Sequence, residues 1–189
     1  MVDLARVCAA QPIVHLDHAK DRTDGADTND VTSLASISLP VGAPTDLPAH
    51  FDPAQKAWIF TSANPNLRIT GAGQAVVNGA PMFGFMLALL PSFVRVARYQ
   101  SRYLLVDGHH RALGFLERGI RNVPALVGDV SSFEALGLPA MGMLPQDAYL
   151  GERPPILCDY LNGAVSVELK VPATQKTIVL PGLEFQVAA

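Results

Sequence analysis

Residues 107–111, with the sequence Asp-Gly-His-His-Arg, carry the side chains of this chain that are best suited to bind or transfer a charged group. They stand between an apolar run and a segment of helical periodicity, so we expect them at the first turn of a helix. The first N–H groups of a helix have no partner within the helix, and with the helix dipole they attract an anion. Arg111 can donate two hydrogen bonds to phosphate oxygens, and His109 and His110 add donors that titrate near neutral pH. The motif therefore predicts a phosphate site.

The other two residues of the motif leave several roles open. Gly108 would allow a bulky oxyanion to approach the backbone. Asp107 could hold a magnesium ion that bridges to phosphate, orient a histidine or act as a general base, and it could equally cap the turn or the helix. Adjacent histidines point to different sides of a helix, so His109 and His110 are not expected to share one metal ion. The catalytic candidates are Asp107, His109 and His110, and the metal candidate is Asp107.

The segments on either side of the motif predict how it is held. Residues 92–106 form two apolar runs that are separated by a short polar turn, which is typical of a β-hairpin. From residue 109 to residue 118 the apolar positions recur at helical spacing, and Gly119 is typical of the residue that follows a helix end. NVPALV (122–127) predicts another strand. The motif is therefore expected where a strand gives way to a helix.

The rest of the chain gives a coarser prediction. The aspartate-rich segment 17–30 reads as a solvated loop, because its spacing does not match the calcium-binding loop of an EF-hand. The apolar run PMFGFMLALLPSFV is broken by glycine and proline, which favours a buried segment over a membrane span. Further predictions are a connector at 41–54, helices at 131–137 and 152–163, and strands at VSVELKV (165–171), TIVL (177–180) and EFQVA (184–188).

Composition limits the class of protein. Hydrophobic residues make up 49% and charged residues 16% of the 189 residues, which predicts a substantial core. The net charge of −3 argues against a nucleic acid as the partner, because such partners are bound by basic surfaces. Two distant cysteines and the lack of a signal-peptide pattern predict a cytoplasmic protein with reduced thiols, and no membrane is expected as a partner.

The stretch YLLVDGHHRALGFLERGIRNVPALV resembles the core of the ParB/sulfiredoxin superfamily over about residues 92–128. Strand, glycine turn, His/Arg pair, helix, glycine stop and Val-Pro strand occur in the order that this superfamily shows. The resemblance implies an α+β fold, in which a small mixed sheet with packed helices occupies residues 52–130. A helical and β-strand extension at 131–189 would complete a single domain, 1–189.

The resemblance also implies a ligand. Related loops bind nucleotide phosphates, so Gly108, His109, His110 and Arg111 would cradle ATP or CTP with Mg²⁺. Sulfiredoxins carry a catalytic cysteine where this chain has His109, so thiol chemistry is not expected. Chromosome-partitioning members have Gly-Glu-Arg-Arg at this loop, and the Asp-Gly-His-His-Arg form is closer to the serine-kinase-like members.

Three functions follow as hypotheses. The first is a nucleotide-dependent phosphotransferase or NTPase, because phosphoryl transfer depends mainly on positioning and charge neutralisation. The second is a non-enzymatic nucleotide-sensing or protein-interaction module, in which PMFGFMLALL and the three carboxy-terminal strands could supply a partner surface, for example that of a homodimer. The third is a ParB-like DNA-binding protein or nuclease with a metal held by the histidines and aspartate.

Overall fold

The computed structural model describes residues 1–41, 47, 49–62, 64, 66–139 and 142–182. The fold is mixed α+β, as predicted. In chain order its strands are β1 (Val2–Asp3), β2 (Cys8–Ala9), β3 (Ala49–Asp52), β4 (Ala57–Ser62), β5 (Leu67–Val77), β6 (Ala80–Leu89), β7 (Arg95–Tyr99), β8 (Arg102–Asp107), β9 (Asn122–Val123), β10 (Leu126–Asp129) and β11 (Lys176–Pro181). Its α-helices are α1 (Leu16–Arg22), α2 (Val31–Ser38), α3 (His109–Glu117) and α4 (Gln146–Leu150), and 3₁₀ helices occur at Leu4–Arg6, Glu134–Leu136 and Leu157–Leu161.

The chain divides into two compact units. Residues 1–41 and 92–169 form the first unit, and residues 42–91 and 170–189 form the second. The segment 52–130, which the superfamily resemblance assigned to one core, therefore has residues 52–91 in the second unit and residues 92–130 in the first. The single domain over 1–189 stays a prediction. All five motif residues belong to the first unit.

A four-stranded mixed sheet of order β10-β7-β8-β2 organises the first unit. Strands β7 and β8 form the predicted antiparallel hairpin, and Gln100 and Ser101 turn the chain with positive φ angles of 45° and 65°. Strand β10 lies parallel to β7, and β2 lies parallel to β8. The strand predicted at 122–127 is present in two pieces, β9 and β10, because Pro124 separates them and proline cannot donate to a ladder.

Helix α3 follows β8 directly, and its C-terminus ends as predicted. Gly119 has φ 75°, its N–H donates to Leu116 O over 2.9 Å, and the Ile120 N–H donates to Phe115 O over 2.8 Å. These two hydrogen bonds define a Schellman motif, which satisfies the last helical carbonyl groups.

The core of the first unit has two clusters of buried side chains. One joins the apolar face of α3 to the sheet and the amino-terminal segment: Leu4, Val7, Ala9, Leu34, Val94, Val96, Leu105, Ala112, Phe115, Leu116, Ile120, Val123 and Leu157. The other lies around Tyr149: Cys8, Ala10, Ala97, Tyr99, Leu104 and Leu136. Strand β8 contributes to both clusters, because successive side chains of a strand point to opposite faces. The strand that leads into the motif is therefore fixed on both sides.

The loop prediction for 17–30 is wrong over residues 17–22, which lie in α1. An aspartate in the first turn and basic residues in the last turn suit the helix dipole there. The helices predicted at 131–137 and 152–163 are reduced to the 3₁₀ turns Glu134–Leu136 and Leu157–Leu161.

The second unit contains two antiparallel sheets. One has the strand order β11-β4-β3, and the other is the long hairpin of β5 and β6. The strand predicted at 177–180 is confirmed as part of β11, whereas residues 165–171 form no strand. The prediction for 184–188 lies outside the described residues. Burial of the run 81–94 is also wrong for β6, because most of its residues are exposed.

Membrane-spanning helices are not found in the described ranges, since none of the helices there combines enough length with enough apolar character.

Candidate functional site

Helices α1 and α3 lie side by side in the same direction and frame the candidate site. A Cβ atom at Gly114 would lie 2.2 Å from Ala19 O and 2.5 Å from Thr23 Oγ1, so only glycine permits this approach. One turn further along, Arg118 Nε donates to Thr23 Oγ1 over 3.1 Å. The amino-terminal part of α1 consequently lies beside His110.

Three imidazole rings meet at this end of the helix pair. The ring centroids are 5.3 Å apart for His15 and His18, 5.5 Å for His18 and His110, and 5.8 Å for His15 and His110. The rings of His15 and His110 are stacked within 9° of parallel, and His15 is the exposed outer ring. His15 and His18 therefore extend the motif with residues from another part of the chain.

Two arginines complete the cluster. Burial lowers the pKa of Arg22 and of Arg111, and the charge of Arg22 lowers the pKa of Arg111 further, while Asp107 opposes both shifts. The Nε and Nη1 atoms of Arg111 are buried and have no hydrogen-bond partner among the described residues. Arg22 forms no ion pair with any residue that the structure describes. The site thus holds two guanidinium groups whose charges repel each other.

His110 is neutral in this environment. Burial is the main cause that lowers its pKa to about 3, and the neighbouring charges of Arg22, His18, His15 and His109 add to the shift. Its Nε2 atom is buried without a partner in the described part of the chain. A buried polar atom of this kind normally has a partner, so Nε2 is available to a ligand.

His109 has a different place from the one predicted. It is 5% exposed, and its Nε2 accepts a hydrogen bond from the Gln11 N–H over 3.2 Å. Burial lowers its pKa to about 4, against the opposing charge of Asp107. His109 therefore ties the segment after β2 to the start of α3, and its Nε2 cannot donate to phosphate. Its roles as a phosphate ligand and catalytic residue have no geometric support.

Asp107 is engaged by its own surroundings. Its Oδ1 accepts hydrogen bonds from Ser92 Oγ over 3.1 Å and the Gly108 N–H over 2.7 Å, and its Oδ2 accepts one from the Phe93 N–H over 3.2 Å. These bonds use three of about four lone-pair positions of the carboxylate. Asp107 therefore caps the turn that precedes α3, and this alternative describes it better than the base or metal-ligand alternatives.

Gly108 is required for packing. Its φ is 86°, in the left-handed region, and a Cβ atom there would lie 2.5 Å from Phe93 O and 2.8 Å from Val94 Cα. The glycine lets β8 turn into α3 against the backbone that precedes β7, which is a different reason from the predicted approach of an oxyanion. Helix α3 has no side-chain cap at Gly108. Its amino-terminal dipole thus adds to the positive potential around Arg111.

The donor set fits a phosphate group and does not fit a magnesium ion. Imidazole and guanidinium donors match phosphate oxygens, whereas magnesium prefers carboxylate and water oxygens. In the described ranges, no group of three or more His, Cys, Asp or Glu side chains is arranged to hold a metal ion.

Two surface hollows lie elsewhere. One, of about 490 Å³, is lined by residues of the β7–β8 turn and β10, and the other, of about 410 Å³, lies on the β5–β6 hairpin. Neither is lined by a motif residue.

His15, His18 and Arg22 were missed at the level of sequence. Their spacing of three and then four residues puts them on one face of a helix, and this was the signal that could have found them. Comparisons of the chain with protein-family models, with curated proteins and with solved structures found no match.

Proposed function

We propose that the junction of β8 and α3 binds the phosphate groups of a nucleotide, ATP or CTP, and that the protein is a nucleotide-responsive member of the ParB/sulfiredoxin superfamily. The observation that carries the proposal is the Arg111 side chain, whose Nε and Nη1 are buried without a partner in the described residues. A buried donor that lacks a partner costs roughly 1–3 kcal/mol, and more when it is charged. A phosphate oxygen at this position would remove that cost.

Electrostatics supports the same ligand. The charge of Arg22 lowers the pKa values of both His110 and Arg111, so the cluster is destabilised by like charges. A dianionic phosphate reverses these interactions and is favoured by the amino terminus of α3 as well. Asp107, which is held by Ser92, Phe93 and Gly108, contributes only part of the neutralising charge.

Binding is better supported than catalysis. A phosphotransferase or NTPase needs a base or a metal ligand near the phosphate, and the hydrogen bonds of Asp107 leave it poorly suited to either role. Nucleotide sensing in a cytoplasmic protein is therefore our first proposal, and phosphoryl transfer with Mg²⁺ is the second. Binding or cleavage of DNA is the weakest, because Arg22 and Arg111 are partly buried and the net charge is −3.

The test is isothermal titration with ATP, CTP, ADP and inorganic phosphate, each with and without Mg²⁺. We expect Arg111→Gln to weaken nucleotide binding roughly 10-fold to 100-fold, because it removes charge-assisted hydrogen bonds of about 1.5–3 kcal/mol. Arg98→Gln is the matched control, since Arg98 is exposed and pairs with Asp129 at 2.6 Å in the same unit. Circular dichroism of each variant checks its folding.

The proposal fails if none of the four anions produces heat, or if Arg111→Gln binds as tightly as the unchanged protein. Release of inorganic phosphate during the titration would favour the NTPase over the sensor. A gel shift of duplex DNA at low salt that survives Arg111→Gln would favour a nucleic-acid function that does not depend on this site.

A further inference from the structure

The hairpin of β5 and β6 is an apolar element that the described chain leaves uncovered. Its strands are eleven and ten residues long, and Arg68 is the one charged residue between Leu67 and Leu89. Large apolar side chains on it are open to solvent: Val76 is 73% exposed, Met86 62%, Phe83 60% and Met82 54%. Monomeric soluble proteins rarely leave such a continuous apolar element in water.

The backbone of the hairpin is open as well. Strands β5 and β6 form a sheet of two strands, so each has one edge without a neighbouring strand in the described residues. An isolated two-stranded hairpin is only marginally stable in water. The edge of β6 also lacks the charged side chains that normally prevent strand-to-strand association. A partner for this hairpin is therefore expected to supply a strand.

We propose that β6 pairs antiparallel with β6 of a second copy of this chain and forms a four-stranded sheet across a two-fold axis. Lipid is a poor alternative, because open backbone N–H and C=O groups are not tolerated in hydrocarbon. A foreign charged partner would find no complementary charge along this surface. A second copy offers a strand of equal length and equal apolar character.

The register of the hairpin indicates where the axis lies. Gly84 is at the middle of β6, opposite Gly73 of β5, and nothing lies within 4 Å of a Cβ atom built at either glycine. Pairing about Gly84 would place Phe83 opposite Phe85 of the second copy, and Met82 opposite Met86. Phe83 and Phe85 already contact each other edge-to-face with centroids 5.3 Å apart. Cross-strand aromatic pairs are among the more stabilising pairs in antiparallel sheets.

Edge pairing through β6 would add main-chain hydrogen bonds and bring the exposed side chains of Met82, Phe83, Phe85 and Met86 of the two copies side by side. This inference uses the second unit alone, so it does not depend on the proposed phosphate site.

The experiment is sedimentation equilibrium of the full chain at micromolar to roughly 100 µM concentrations. We expect a dimer that Phe83→Lys converts to a monomer, because a lysine at an edge strand opposes pairing. Val167→Lys is the control, since Val167 is 80% exposed outside the hairpin and its substitution should leave the dimer intact. A monomer throughout the concentration range would overturn the proposal.

Cysteine cross-linking tests the register even if Phe83→Lys alters folding. Gly84→Cys should form an intermolecular disulfide under mild oxidation, because residues opposite each other at the axis have Cα atoms about 4.5–5.5 Å apart. Gly73→Cys should not, because the two β5 strands would be separated by three strand spacings of about 4.8 Å. A dimer in which Gly73→Cys cross-links as efficiently as Gly84→Cys would contradict pairing through β6.

Discussion

The burial of His109 makes the stability of the first unit depend on pH. In the folded protein its pKa is lowered to about 4, whereas an imidazole in the unfolded chain titrates near 6.5. Between these two values the unfolded state binds more protons, so the free energy of unfolding decreases as pH falls. The loss from this one residue amounts to about 2 kcal/mol between about pH 7.5 and pH 5, and to about 3 kcal/mol by about pH 4. Below the folded pKa it changes little further.

The matched variant is His109→Gln. A glutamine side-chain oxygen can accept the Gln11 N–H, as Nε2 of His109 does over 3.2 Å, but it does not titrate. The variant should therefore lose about 2 kcal/mol less stability than the unchanged protein between about pH 7.5 and pH 5. Subtracting the two curves removes the contributions of the carboxyl groups, which both proteins share.

Urea denaturation followed by tyrosine fluorescence is the appropriate assay. All four tyrosines lie in residues 92–169 of the first unit, whereas the single tryptophan, Trp58, lies in the second. The denaturation midpoint at constant slope gives the change in stability. If both proteins lose the same stability as pH falls, His109 is not a buried neutral acceptor, and its hydrogen bond from the Gln11 N–H does not tie the segment after β2 to α3.

Two further predictions concern glycines. Gly108→Ala should lower the free energy of unfolding by about 2–5 kcal/mol, because the new Cβ would combine a left-handed φ with a distance of 2.5 Å to Phe93 O. Gly119→Ala is the control: it has a similar φ but no atom within 4 Å, and it should lower the free energy of unfolding by about 1–2 kcal/mol. Equal losses in urea denaturation would refute the packing role of Gly108. Gly114→Ala should push α1 away from α3, because its Cβ would lie 2.2 Å from Ala19 O. Amide hydrogen exchange in α1 should then accelerate at least 10-fold, which corresponds to a loss of about 1.4 kcal/mol of local stability. Unchanged exchange rates would contradict the close approach of the two helices.

The parts of the fold that could be predicted are those that local pattern decides. Helix α3 and its Schellman end follow from helical spacing and from Gly119, and the β7–β8 hairpin follows from two apolar runs around a short turn. These features depend on residues that are close together in sequence. Local sequence patterns are informative about such contacts.

Helix α1 could not be predicted in the same way. It has one buried side chain, Ala19, so it lacks the apolar stripe by which an amphipathic helix is usually recognised. It is held instead by its close approach to Gly114, which lies far away in sequence. His15, His18 and Arg22 reach the candidate site only because α1 forms. Their contribution was therefore missed together with the helix.

Two other outcomes depended on distant contacts. The sequence alone did not decide whether Asp107 is a cap, a base or a metal ligand. The hydrogen bonds that it accepts from the Ser92 hydroxyl and the Phe93 amide, which both precede β7, favour the cap. The apolar run at 81–94 was expected to be buried, because such runs usually are. A run of apolar residues does not distinguish a buried strand from an exposed one such as β6.

The division of each unit between two stretches of chain affects how the protein emerges during synthesis. Strand β2 near the amino terminus needs β8, with Cys8 opposite Leu104, before it can enter a sheet. At about 5–20 residues per second, the ribosome takes several seconds to add the intervening segment. The hairpin of β5 and β6, whose partners are adjacent in sequence, can close during that interval. The apolar β5–β6 hairpin is therefore exposed on the nascent chain before the sheet that contains Asp107 is complete.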